Sequence, residues 1–218
     1  GDEGCKLVFS IPDTAISAMV EFRRFPLNET WEENAFVRSG EQLTVILPDQ
    51  PAAGKLEYKV EFYHQGLLIN NPDDFHTIVR FKDEVPLGVL IPHIFLIFFA
   101  MLLSNITCYL AIVKSPATRI YTIFTLVFML LGGMIMGPFV QYYAFGEFWT
   151  GIPFGWDLTD NKTLIAFVFW IIAFVTNRKQ PRYGWVIVAA LVTIVVFSIP
   201  HSLFGSEFNY TTGQVTQG

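Results

Sequence analysis

Residues 85–113 read VPLGVLIPHIFLIFFAMLLSNITCYLAIV, without one Asp, Glu, Lys or Arg. At ~1.5 Å of rise per residue such a run is long enough to cross a bilayer as a tilted helix, and no soluble domain core needs one of that length. What precedes it is different. Residues 1–84 carry 15 acids and 8 bases, whereas 85–218 carry only 4 acids and 6 bases. The break between Glu84 and Val85 therefore divides a polar, acidic half from a hydrocarbon-compatible half. Downstream, the spacing predicts further spans over 119–145, 162–176 and 184–204, so 85–218 is expected to be a four-helix transmembrane domain with an exterior carboxyl-terminal tail.

Upstream, short β-rich runs alternate with turn signals at 6–11, 15–24, 35–38, 42–47, 55–63, 67–69 and 75–81. This spacing predicts an all-β sandwich over 1–84. The stretch LPDQPAAGKLEY (47–58) sets a Pro/Gly corner before a strand, with Tyr58 two places after Leu56. It resembles the tyrosine corner of immunoglobulin-like and fibronectin-type domains. In that strand Leu56, Tyr58, Val60 and Phe62 alternate with Lys55, Glu57, Lys59 and Glu61, which gives one buried and one wet face. His64-Gln65-Gly66 reads as a tight hairpin turn. The join Phe81-Lys82-Asp83-Glu84-Val85-Pro86 contains no flexible spacer.

The bases orient the spans. Lys114 and Arg119 lie in one predicted loop, and Arg178, Lys179 and Arg182 in another. The loop between them and the tail hold Glu147, Asp157, Asp160 and Glu207, with Lys162 the lone base. By the positive-inside rule the basic loops face the cytoplasm, and the sandwich, the central loop and both termini face the periplasm of a bacterial inner membrane. The central loop, rich in Tyr, Phe, Gly and the tryptophans Trp149 and Trp156, has the composition of a segment at headgroup level. The amino-terminal half must reach the exterior, so a removed leader or missing upstream residues are expected, and Cys5 is then a candidate lipidation site. Its only possible disulfide partner, Cys108, sits deep in a span.

Few residues suggest chemistry. His93 and His201 each follow a proline near the exterior ends of their spans, and imidazoles so placed could ligate a haem iron or a (bacterio)chlorophyll magnesium. Their depths differ: His93 lies roughly 10 Å inside its span and His201 about 5 Å from its end. The alternative is that each satisfies a carbonyl freed by its neighbouring proline. Asp157 and Asp160 could bind a cation, or this stretch could cap the third span. Gly133 and Gly137 form a small-xxx-small motif that admits a close helix from this chain or another subunit. No Gly-x-Ser-x-Gly, Walker loop, dinucleotide fingerprint or His-Glu-x-x-His motif occurs.

The segments VPLGVLIPHIF (85–95) and FWTGIPFGWDLTDNKT (148–163) resemble a group of uncharacterised bacterial integral membrane proteins with an exterior β-sandwich followed by four transmembrane helices. That resemblance implies the architecture and a bacterial source but no activity. Together these readings lead to the expectation of a non-enzymatic accessory or scaffold subunit of a respiratory or photosynthetic complex. It would bind other membrane-protein subunits and the bilayer, with neither cofactor nor nucleic acid. The alternatives are a haem or bacteriochlorophyll protein using His93 and His201, and a transporter or sensor component.

Overall fold

The computed structural model describes residues 4–200 and 207–216. The chain divides into two compact units, Gly1–Asp83 with Glu207–Val215, and Glu84–Ser206 with Thr216–Gly218. The tail, grouped with the apolar half on charge alone, thus contributes Glu207–Val215 to the first unit.

Among the described residues the strands, all within the first unit save the last residue of β10, are β1 (Cys5–Ser10), β2 (Ile16–Arg24), β3 (Glu32–Ala35), β4 (Val37–Ser39), β5 (Gln42–Leu47), β6 (Lys55–His64), β7 (Leu67–Leu68), β8 (Thr77–Arg80), β9 (Glu207–Asn209) and β10 (Gln214–Thr216). One sheet runs β1-β5-β4, another β3-β2-β6-β7 with β8 also on β6, and β9-β10 forms a hairpin. Alternation in β2, β5 and β6 sends Ala18, Val20 and Phe22, then Leu43, Val45 and Leu47, then Leu56, Val60 and Phe62 into one shared apolar core. Phe36 explains how the two sheets connect. The run expected as one strand over 35–38 breaks there: Glu32–Ala35 pairs with β2, Val37–Ser39 pairs with β5, and the Phe36 ring is buried between.

Local chemistry sets the other boundaries. Gln65 and Gly66 both have positive φ, 52° and 81°, as a two-residue hairpin of the mirror-image kind requires. Asn70 then stands in for a missing strand, accepting from the Phe62 N–H at 2.6 Å and donating to the Val60 carbonyl at 2.9 Å. Asn71 caps a 3₁₀ turn at Pro72–Phe75, which delays β8 to Thr77. Tyr58 is only half-buried, and its hydroxyl makes no hydrogen bond among the described residues. The Pro/Gly corner is instead closed by Tyr210 from the far end of the chain. Its hydroxyl accepts from the Lys55 N–H at 3.1 Å and reaches Gln50 Oε1 at 2.9 Å, while the Phe208 N–H donates to the Ala53 carbonyl at 3.0 Å.

The described residues of the second unit form four helices: α1 (Leu87–Ile112), α2 (Thr118–Phe145), α3 (Leu158–Thr176) and α4 (Tyr183–Ser198). The first three are long and apolar enough to cross a membrane; α4, with 16 residues, is apolar but shorter. It stops before the predicted end because Ile199, held extended by Pro200, leaves helical geometry. Helix α3 begins before Lys162 because Asp157 caps it. Many buried positions are small or hydroxylated: Ala100, Ser104, Thr107 and Ala111 on α1, Thr118, Thr122 and Thr125 on α2, Ala166 and Ala173 on α3, Ala189, Ala190 and Thr193 on α4. Large apolar side chains such as Phe98, Leu102 and Val195 point outward. Small residues inside with bulky ones outside is the packing of helices whose surroundings are lipid. Trp170 is fully enclosed despite its size, and its indole N–H donates to the Thr193 hydroxyl at 2.8 Å.

Candidate functional site

Ionisable and polar side chains gather at one end of the helical unit, where α2 runs into α3. Asp157 opens α3, its Oδ1 accepting from the N–H groups of Thr159 at 2.8 Å and Asp160 at 3.4 Å. Asp160, one turn on, faces the preceding loop. Its Oδ2 accepts from the Thr150 N–H at 2.7 Å and lies 3.2 Å from the Thr150 hydroxyl, which also accepts from Gln141 Nε2 at 2.7 Å. Asn161 accepts the Ile152 N–H at 2.7 Å. A Cβ on Gly151 would come within 2.6 Å of Asp160 Cβ, so the loop backbone lies directly on the helix.

The two carboxylates therefore do separate jobs, one capping a helix and one holding a loop. Among the described residues no three His, Cys, Asp or Glu side chains group as a metal site would need. Lys162 is the residue the sequence passed over. It is 2% exposed, and its ammonium donates to the Ile199 carbonyl at 2.9 Å and reaches that of Pro200 at 3.4 Å. A cation there meets the negative end of the α4 dipole and the carbonyls that a terminated helix leaves unpaired. The signal was available: Asp160, Asn161, Lys162 and Thr163 are four polar residues in succession, so whatever face α3 turns inward near its start must be polar.

His93 lies half-buried on α1, its Nδ1 2.9 Å from the Gly132 carbonyl. A carbonyl only accepts, so Nδ1 carries the proton and a neutral ring keeps its Nε2 lone pair. Gly132 belongs to a π-wound segment, Leu130–Met136, inside α2. The carbonyl that His93 serves is thus on another helix, not one released by Pro92. His201 lies outside the described residues.

The glycines of α2 act unequally. A Cβ on Gly132 would stand 2.9 Å from the Ile97 backbone nitrogen, and one on Gly133 would stand 2.7 Å from Thr163 Cγ2. Gly137 has nothing nearer than 3.8 Å. The close approaches lie within this chain, at Gly132 and Gly133, while Gly137 leaves room.

The opposite end of the bundle is basic. The Tyr183 hydroxyl donates to the Lys114 carbonyl at 3.1 Å, which puts the loop bearing Lys114 beside the start of α4. Arg178, Lys179 and Arg182 immediately precede that start, so both basic loops share one end and the Asp157–Lys162 cluster the other. Trp149 is half-buried, its indole donating to the Ile152 carbonyl at 3.1 Å, whereas Trp156 is 76% exposed.

In the first unit, Glu57 is the most enclosed charge. It accepts from Arg23 at 2.6 Å and lies 2.8 Å from His76 Nε2. Burial pushes its carboxyl upward, but the bonds from Arg23 and His76 outweigh this and hold it below the usual range. The cations of Arg23 and Lys59 both lie over the Trp31 ring, at 4.4 and 4.6 Å.

No family model, curated protein or solved structure matches the chain.

Proposed function

We propose that this chain is a non-catalytic accessory subunit of a bacterial inner-membrane complex, built as an immunoglobulin- or fibronectin-like sandwich on four membrane spans. The observation that carries this reading is an apolar patch on the outer face of the β1-β5-β4 sheet. Val8 and Val37 flank Thr44 in one row, and Ile46 lies on the same face. They are 46%, 70% and 54% exposed for Val8, Val37 and Ile46. A sheet face meeting only water is polar at such positions, and neighbouring exposed aliphatic side chains on one face are how a partner is met. The partner is another membrane-protein subunit, with respiratory or photosynthetic assemblies as hosts. The sandwich, the aromatic loop and both termini are periplasmic, and the basic loops cytoplasmic.

Native purification through a carboxyl-terminal tag tests this. Stoichiometric subunits should co-elute and be lost from a Val8→Lys, Val37→Lys variant whose melting is unchanged. A lone monomer, with every membrane complex intact after gene deletion, overturns it.

One observation favours a second reading. Histidines that ligate metals characteristically donate their other ring N–H to a backbone carbonyl, as His93 does to Gly132. A haem or bacteriochlorophyll held by His93 Nε2 would give the native protein a visible band that His93→Ala abolishes; a featureless spectrum excludes it.

A further inference from the structure

The loop joining α2 to α3 combines two properties that loops in water do not need together. Five backbone donors from Thr150 onward are satisfied by the protein: Thr150 and Ile152 by the buried side chains of Asp160 and Asn161, Phe154 and Gly155 by the Gly151 carbonyl, and Asp157 by the Thr150 carbonyl. Its side chains point the other way. Phe148 and Ile152 are 47% and 45% exposed, and Phe154 and Trp156 are 79% and 76% exposed. Phe148 is also fixed, stacked on Tyr142 at 4.2 Å and set edge-on to Phe139 at 5.7 Å on the last turns of α2.

A backbone that water can reach has no need of a carboxylate brought from the next helix. A backbone at the edge of hydrocarbon does, because an unpaired N–H there finds no water to replace its lost hydrogen bond. The loop starts where α2 ends and finishes where α3 starts, and both helices are candidate spans. Covalent continuity therefore holds it at the level of a bilayer surface. We infer that residues 146–157 form a preorganised interfacial anchor, whose Phe148, Ile152, Phe154 and Trp156 side chains enter the boundary between headgroups and acyl chains while Asp160 and Asn161 hold the backbone from beneath and Gln141 holds the Thr150 hydroxyl. The ligand is the lipid surface itself. Aromatic side chains are the ones that favour this layer, where an apolar body meets a polar rim. Because the loop is ordered by its own latch, entering the lipid costs it little conformational entropy.

This inference rests on the membrane-spanning reading, and the test separates the two. The full chain, with Cys5→Ser and Cys108→Ala, is reconstituted in phosphatidylcholine and phosphatidylglycerol vesicles. It carries one spin label at Phe154→Cys, at Phe98→Cys on the outer face of α1, or at Val37→Cys on the β-unit. Collision with oxygen, which concentrates in lipid, is compared with collision with a nickel chelate, which stays in water. Phe98→Cys should report hydrocarbon, Val37→Cys water, and Phe154→Cys an oxygen-to-nickel ratio several-fold above Val37→Cys but below Phe98→Cys. If Phe98→Cys reports lipid and Phe154→Cys reports water, the anchor is wrong while the spans survive. A watery Phe98→Cys removes the spans and the anchor together. A Phe154→Cys label shielded from both reagents means that protein covers the loop, which also overturns the lipid assignment. Adding Asn161→Ala, which removes the acceptor of the Ile152 N–H, should sharpen the Phe154→Cys spectrum by freeing the loop; an unchanged line shape rejects the latch.

Discussion

Glu57 shows how a single side chain ties the β-unit to pH. Its carboxylate bonds Arg23 of β2 and His76 just ahead of β8, with a side chain 10% exposed, so it joins three neighbouring segments at one buried charge. Its folded pKa lies below the unfolded value of ~4.3, so its contribution is fully present above that pH and drains away as pH falls through the folded value. The unfolding midpoint of the whole chain in detergent should therefore drop on acidification below about pH 4.3. Glu57→Gln should flatten that drop while lowering stability at pH 7, because the Arg23 guanidinium then faces a neutral amide. An identical acid limb in both proteins would remove the linkage. Asp157 acts equally locally: Asp157→Ala should cost about 1 kcal/mol, the usual worth of an N-cap, read as a lowered melting midpoint.

At the scale of elements, the glycines of α2 set the helix spacing. Gly132→Ala would place a methyl 2.9 Å from backbone nitrogen on α1, which cannot swing aside, and should cost about 1–3 kcal/mol in a denaturant titration. Gly137→Ala, with nothing nearer than 3.8 Å, should change the midpoint little. The small-xxx-small pattern announced a close approach but not which glycine makes it. The π-wound turn at Leu130–Met136 rotates the helix there, and a motif written for 3.6-residue geometry does not anticipate that. Helix positions were legible because an uncharged run of such length admits one physical solution, and the strands because their alternation survives in β2, β5 and β6. What was hidden was tertiary. Lys162 read as the first residue of a helix, at its wet end, because a buried ammonium is costly, and the carbonyls of Ile199 and Pro200 make its burial tolerable. Tyr58 fitted a corner pattern, yet the hydroxyl that closes the corner is Tyr210, separated from Lys55 by 155 positions.

For the whole molecule, that distant tyrosine constrains how the chain is threaded. Glu207–Val215 belongs to the same compact unit as the amino-terminal strands, held by the Lys55–Glu207 ion pair, the Phe208–Ala53 backbone bond and the Tyr210 hydroxyl. A chain that leaves this unit, enters a bilayer and returns to the unit must cross an even number of times. On the proposed membrane-spanning reading, helices α1 to α3 supply three crossings and α4 the fourth, although its 16 residues reach only ~24 Å of the ~30 Å hydrocarbon core. Lys162 answers the shortfall: its ammonium meets the carbonyls at the end of α4 inside the bundle, where water would otherwise be needed. Tags at both termini should accordingly be cut by protease added outside intact spheroplasts. A carboxyl-terminal tag cut only after lysis would mean that α4 does not cross. In Lys162→Met the last α4 carbonyls lose their donor, and the carboxyl-terminal tag should become partly protected as a fraction of α4 fails to cross. Tyr210→Phe, which deletes one hydroxyl and leaves the helices untouched, should lower the melting midpoint by the equivalent of about 1–3 kcal/mol and leave the tag exposed. Protection of the tag in Tyr210→Phe would instead make the clasp, not the helix, the element that decides the crossing.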